Sequence, residues 1–302
     1  MLVRLGRRGR GHEDGPGRLH PVLPQSGRNG LRNGFRHLGI GGSTMPYFSS
    51  GQSQLYYEVH GSGPTLVLLH GMGGNHASWF PQIAGLADRF RLITVDARGF
   101  GKSSDAEGLG RDGFVDDLDH LWRALDLRQA VLVGQSMGGG CCVLFTCQYP
   151  ERVAGLVLAD TLIGIELPTS LRAGMDAVQR ATANLGQAER VLGSTTRAGN
   201  PDKVALYGQI ASFNSVGLRT LTGTQRVRPL DDLVATRIPI LFVVGSEDIL
   251  FPPPLVEAVQ KRVPSSRFHI IPNAGHSAHF ESPQAFNDIL TAWHTSLPPA
   301  SR

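Results

Sequence analysis

Gly134-Gln135-Ser136-Met137-Gly138 follows the apolar run Gln129-Ala130-Val131-Leu132-Val133 and precedes a helix-compatible stretch. This is the strand-turn-helix setting of a nucleophile elbow. A serine on so tight a turn must take a strained backbone conformation, and glycines two residues to either side remove side chains that would strike the neighbouring strand and helix. The hydroxyl is then exposed at a helix N-terminus, where backbone N–H groups and the helix dipole favour a developing negative charge. A hydroxyl also needs a base to take its proton, and the base needs a carboxylate to hold its tautomer. Asp248, in Gly245-Ser246-Glu247-Asp248, and His276, in Asn273-Ala274-Gly275-His276, each follow an apolar run and complete the chain order Ser, Asp, His.

The elements that must position these residues alternate. Strands are predicted over 54–60, 65–69, 90–95, up to Val133, and over 153–159, with helices over 78–88, 113–125 and 137–149 between the later ones. Uniformly apolar runs such as Thr65-Leu66-Val67-Leu68-Leu69 suit central strands covered on both faces. The repetition predicts an α/β fold with a doubly wound, mostly parallel sheet. From about 161 to 235 the alternation gives way to short helices with polar breaks, and it resumes with a strand over 238–244, a helix over 253–263, a strand over 267–271 and a helix over 283–297. The chain therefore divides into a core of 45–160 and 236–302 and a helical cap insertion at 161–235. That insertion is expected to hang over Ser136, because loops at the carboxyl ends of parallel strands surround the ligand crevice.

Residues 45–302 resemble the α/β-hydrolase superfamily, in the branch with a small helical cap. The resemblance is carried by several motifs in family order: His70-Gly71-Met72-Gly73-Gly74, Asp96-Ala97-Arg98-Gly99-Phe100-Gly101-Lys102-Ser103, the elbow, Gly245-Ser246-Glu247-Asp248, and Gly275-His276 with Glu281-Ser282-Pro283. It implies Ser136 as nucleophile, His276 as base, Asp248 as acid, and the backbone N–H groups of Met72 and Met137 as the oxyanion hole. His276 is preferred to His279 and His70 because it directly follows Gly275 and matches the family position; His70 is expected to brace the oxyanion turn. Asp248 is preferred to Asp160, which ends a sheet strand where some relatives place their acid. Glu247 is read as a solvated neighbour, and Asp96 and Arg98 as residues that fix their turn. Trp79, Phe80 and Phe100 read as core or pocket wall. Met175, Val178, Leu206, Ile210, Phe213, Leu218 and Leu221 read as packing between cap and core, with an apolar acyl pocket as the alternative.

The resemblance implies hydrolysis of small-molecule carboxylic esters or lactones by water through an acyl-enzyme, without cofactor or metal. Relatives with an aspartate at the elbow, the haloalkane dehalogenases and epoxide hydrolases, are disfavoured by Ser136. Carbon–carbon hydrolases of ring-fission products share a similar elbow, but they tend to carry a tryptophan after the histidine where this chain has Ser277. They remain an alternative, as do cofactor-free haloperoxidases and, outside catalysis, a ligand receptor built on the same fold.

Bulk composition sharpens these expectations. The formal charge of +4 belongs to residues 1–44, which carry eight arginines against Glu13 and Asp14, so the remainder is weakly acidic. A nucleic-acid partner is therefore not expected, and no apolar run reaches the 18 residues of a membrane span. The same 44 residues hold 11 of the 38 glycines and little apolar periodicity. They are expected to be a disordered basic extension, preceding a domain that begins at Met45 and arising from a non-native addition or an upstream mis-start. Cys141, Cys142 and Cys147 lie on one predicted helix, as reduced core packing in a cytoplasmic protein would.

Overall fold

The computed structural model describes residues 46–264 and 266–298. The expected extension over 1–44 lies outside the described residues. The chain opens with a hairpin in which β1 (Tyr47–Ser50) pairs antiparallel with β2 (Ser53–His60) around Gly51 at φ 60°. The sequence reading had no β1: four residues of Tyr-Phe-Ser-Ser are too few to establish a period. There follow β3 (Thr65–Leu69), α1 (Phe80–Leu86), β4 (Arg91–Val95), α2 (Phe114–Ala124), β5 (Ala130–Gln135), α3 (Met137–Gln148) and β6 (Val153–Ala159).

The alternation then breaks. Between β6 and the next sheet strand run β7 (Ile165–Glu166), α4 (Thr169–Thr182), α5 (Gln187–Val191), α6 (Ser194–Gly199), α7 (Pro201–Ser212), β8 (Arg228–Pro229) and α8 (Leu230–Ala235). β7 and β8 pair in parallel and hold together the two ends of the helical insertion. The core closes with β9 (Ile240–Gly245), α9 (Pro253–Gln260), β10 (Ser266–Ile271), α10 (Ala278–Glu281) and α11 (Pro283–Thr295).

Eight strands make one sheet in the order β1-β2-β4-β3-β5-β6-β9-β10, and all pairings from β4 to β10 are parallel. Each face is covered. On one side α2, α3, α8 and α9 pack through Phe114, Leu118, Val143, Leu233 and Val259; on the other, α1 and α11 pack through Leu86, Phe286, Leu290 and Trp293. This two-sided burial is why the central strands read as continuous apolar runs rather than alternating ones. Cys141 and Cys142 are buried in the first layer and unbridged, and burial pushes both thiols well up. No helix among the described residues is long and apolar enough to cross a membrane.

Arg98 does more than fix its own turn. Its guanidinium, 2% exposed, donates to both carboxylate oxygens of Asp117 on α2, to Glu107, and to the hydroxyls of Ser50 and Ser53 in the hairpin. One side chain thus ties β1, β2 and α2 to the loop after β4. Arg98→Met leaves the buried Asp117 without its partner and is expected to cost about 3–5 kcal/mol, read as a lowered urea midpoint.

Candidate active site

β5 runs through Gln135, two residues past the predicted end, so that Ser136 is the single residue between strand and helix. Its backbone sits at φ 49°, ψ −116°, a region that costs a non-glycine residue about 1–3 kcal/mol. Neighbouring groups hold it there: Ser136 N–H donates to the Ala159 carbonyl, and its carbonyl accepts from Gly139 N–H and the Thr161 hydroxyl. The flanking glycines are required by contact. A Cβ on Gly138 would fall on the carbonyls of Leu69 and His70, and one on Gly134 would lie 2.7 Å from Gly139 N.

The structure brings Ser136, His276 and Asp248 together. His276 Nε2 lies 2.8 Å from Ser136 Oγ, and Nδ1 lies 2.9 Å from Asp248 Oδ2. Because the carboxylate only accepts, Nδ1 carries the ring proton and Nε2 presents a lone pair to the serine hydroxyl. The second oxygen of Asp248 accepts from Leu250 and Phe251 N–H, which fixes its orientation. Burial lowers the pKa of His276, but the charge and hydrogen bond of Asp248, with the charges of Asp160 and Glu281, together outweigh it and the net direction is upward. Phe251 stacks on the imidazole with 21° between the rings.

Met72 and Met137 both line the cavity that Ser136 and His276 enter. Met137 is the first residue of α3, so its N–H has no intrahelical acceptor. The Gly71–Met72 turn presses on the elbow: a Cβ at Gly71 would lie 2.8 Å from Ser136 Cβ. His70 sits beneath this turn, donating from Nδ1 to the Gly71 carbonyl and accepting from Ala97 N–H at Nε2. Both ring nitrogens are therefore occupied away from Ser136.

The other rivals are placed elsewhere. Asp160 lies under the site, with Oδ1 accepting from Gly245 N–H and Oδ2 from Ala278 N–H. It braces the loops that carry Asp248 and His276 without bonding the imidazole. Burial first, and the Asp248 charge second, raise its pKa well above the carboxylate range. His279 is buried against Trp79 with the rings tilted by 41° and their centroids 4.3 Å apart, and burial pushes its pKa down to about 3. Trp79 and Phe100 are core, whereas Phe80 is 47% exposed. Asp96 holds its turn through His76 and Lys102 N–H, as expected.

Two carboxylates were missed or misread. Glu247 is no solvated bystander: it accepts from Ser194 Oγ, Thr195 N–H and Thr195 Oγ1 at the start of α6. Glu281 brackets His276, accepting from Gly275 and Ser277 N–H with one oxygen and from Gly193 N–H with the other. The Glu281-Ser282-Pro283 motif marked the position of Glu281 without its partners, and nothing in the sequence points to residues 193–195 as those partners.

The cavity above Ser136 is about 400 Å³. Of the insertion residues considered from sequence, Met175, Val178 and Leu218 line it. Ile210 packs in a cluster with Tyr207 and Phe280, Leu221 joins the main core, and Leu206 and Phe213 face solvent. Sequence reasoning missed Arg111, Gln179, Gln187, Arg190 and Gln225 in the wall. Among the described residues, no group of three or more His, Cys, Asp or Glu side chains is arranged to hold a metal ion.

A family model for the alpha/beta hydrolase fold matches residues 64–207. A thermophilic esterase from Thermogutta terrifontis superposes with a TM-score of 0.70 at 30% identity, covering 82% of this chain and 96% of that one. A bromoperoxidase from Bacillus anthracis gives a TM-score of 0.68 at 26% identity over 81% of this chain and 96% of that one. A Mycobacterium tuberculosis protein named "Putative non-heme bromoperoxidase" is 30% identical over 80% of this chain and 98% of its own length. The chain belongs to the α/β-hydrolase superfamily.

Asp160→Asn must turn an amide NH2 toward one of two backbone N–H donors, and its expected cost is about 1–3 kcal/mol of stability. A thermal unfolding midpoint equal to that of the parent protein would show that Asp160 does not brace the two loops.

Proposed function

We propose that this protein is a serine-dependent hydrolase of small-molecule carboxylic esters or lactones, with the insertion acting as a cap over the site. The reading is carried by the Ser136–His276 contact of 2.8 Å, continued at 2.9 Å to Asp248. Ser136 Oγ attacks the carbonyl carbon while His276 Nε2 takes the hydroxyl proton, and Asp248 stabilises the imidazolium. The oxyanion of the tetrahedral intermediate is held by the N–H groups of Met72 and Met137. Collapse expels the alcohol, protonated by His276, and leaves an acyl-serine. His276 then deprotonates water, which releases the acid and restores the hydroxyl. In a lactone the alcohol stays tethered to the acyl chain.

The serine and esterase likeness support this reading, and multiple turnover separates it from a receptor, which would release product at most once per site. With p-nitrophenyl esters as substrates, Ser136→Ala is expected to keep its circular dichroism and lose kcat by about 10⁴-fold or more. Near-parental hydrolysis by that variant would refute the assignment.

The likeness to proteins named as bromoperoxidases favours a second outcome at the same serine. Hydrogen peroxide in place of water would attack the acyl-serine and release a peracid, so peroxide-dependent bromination in acetate buffer that vanishes with Ser136→Ala would establish it.

The direction of the His276 shift fixes a pH dependence. The base must be neutral, so activity falls as pH drops through its pKa, and the net upward shift places the acid limb of kcat/KM above about 6.5. Asp248→Asn removes the largest contributor opposing burial. The limb then moves to lower pH, and the plateau falls by about 10⁴-fold.

A further inference from the structure

Two arginines line the cavity above Ser136, Arg111 from the turn before α2 and Arg190 from α5, and no aspartate or glutamate lines it. Arg190 makes no ion pair among the described residues, and its Nε is shielded from solvent with no hydrogen-bond partner. Arg111 Nη1 reaches only the Leu221 carbonyl, at 3.3 Å, and burial pulls its pKa down. The acids beside them in sequence are turned away. Glu189 accepts from Gly186 N–H, while Asp112 lies 3.5 Å from Arg226. By contrast, Arg98 and Arg152, in the body of the fold, each meet a carboxylate within 2.6 Å.

A half-buried guanidinium with a shielded, unpartnered N–H and no counter-charge is costly, and it is relieved by an anion that enters the cavity. Its planar fork fits a carboxylate in particular. Building on the hydrolase reading, we propose that the substrate is an ester or lactone bearing a carboxylate, and that Arg190 and Arg111 bind that carboxylate while Ser136 attacks the ester carbonyl. The neutral amides of Gln179 and Gln225 in the same wall can add donors without changing the sign of the site.

The test uses matched pairs that differ in charge. In one arm, kcat/KM is measured for mono-p-nitrophenyl adipate against p-nitrophenyl hexanoate, and for 4-acetoxybenzoate against 4-acetoxybenzamide, so that the carboxylate sits in the acyl group of one pair and the alcohol of the other. The parent protein is expected to favour the charged member of at least one pair by about tenfold or more. Arg111→Gln combined with Arg190→Gln should bring that ratio to about one, and Arg190→Lys should retain part of it.

In the second arm, the Ser136→Ala protein is titrated calorimetrically with the inert pairs adipamate against adipamide and 4-acetamidobenzoate against 4-acetamidobenzamide. Tighter binding of a charged member, lost when both arginines are replaced, supports the carboxylate site even where no ester is turned over. In that case the hydrolase reading has failed and the anion site has not. No charge preference in either inert pair, or a preference that survives the loss of both arginines, overturns the proposal.

Discussion

The left-handed backbone of Ser136 is the constraint from which the rest of the core follows. A residue at φ 49° between a buried strand and a helix is tolerable only if nothing bulky approaches. That requirement dictates Gly134 and Gly138 and extends into α3, which begins Met-Gly-Gly-Gly and is buried on nearly every side. Glycines in a helix cost about 1 kcal/mol each relative to alanine. Here the loss is offset by close packing against β5 and β6 and by the apolar layers on both faces of the sheet. The strain is thus held in place by tertiary structure, which is how a serine hydroxyl comes to stand clear of its own chain at a helix N-terminus.

Around this fixed point, buried carboxylates divide the remaining work by what their oxygens accept. Asp248 gives one oxygen to His276 and the other to two backbone N–H groups. Asp160 gives both of its oxygens to N–H donors, and Glu281 accepts from three N–H groups and from the Thr196 side chain, bracing the strand end at Gly245 and the two sides of the His276 loop. The same residue type therefore acts as orienter in one case and as scaffold in two others. Geometry decides between them, because only Asp248 faces Nδ1.

How much of this was legible in the sequence follows from the range of each interaction. The elbow, the strand predicted at 153–159 and observed as β6 (Val153–Ala159), and the Ser, Asp, His order are read from local patterns, so they appear in one chain without alignment. Residues whose partners lie far along the chain were invisible. Arg98 looked like a turn residue until Asp117 and the hairpin were placed around it. Gln135, the variable position of the elbow, proves to donate to the His276 carbonyl at 2.7 Å, 141 residues away. The cavity-lining arginines carry no local signature either, since Arg190 lies in an exposed-looking five-residue helix whose register over Ser136 is set by folding alone.

The insertion is fastened to the same loops that hold His276 and Asp248 and to the turn beside Ser136. Gln187 on α5 donates to the Met72 carbonyl in the turn beside the elbow, and residues 193–195 are gripped by Glu281 and Glu247, which neighbour His276 and Asp248. Val191, Leu192, Tyr207 and Ile210 meanwhile pack on Phe280, four residues past the histidine. A wall attached only to its own stem could vary without consequence for the chemistry. One attached to the Met72 turn, the Asp248 loop and the His276 loop at once transmits its position to all three, because hydrogen-bonded loops with buried acceptors move as units or lose those bonds. The cavity and the serine are on these grounds a single mechanical object, and residues that line the cavity from α4 and α5 act on a frame that also sets the His276–Ser136 distance.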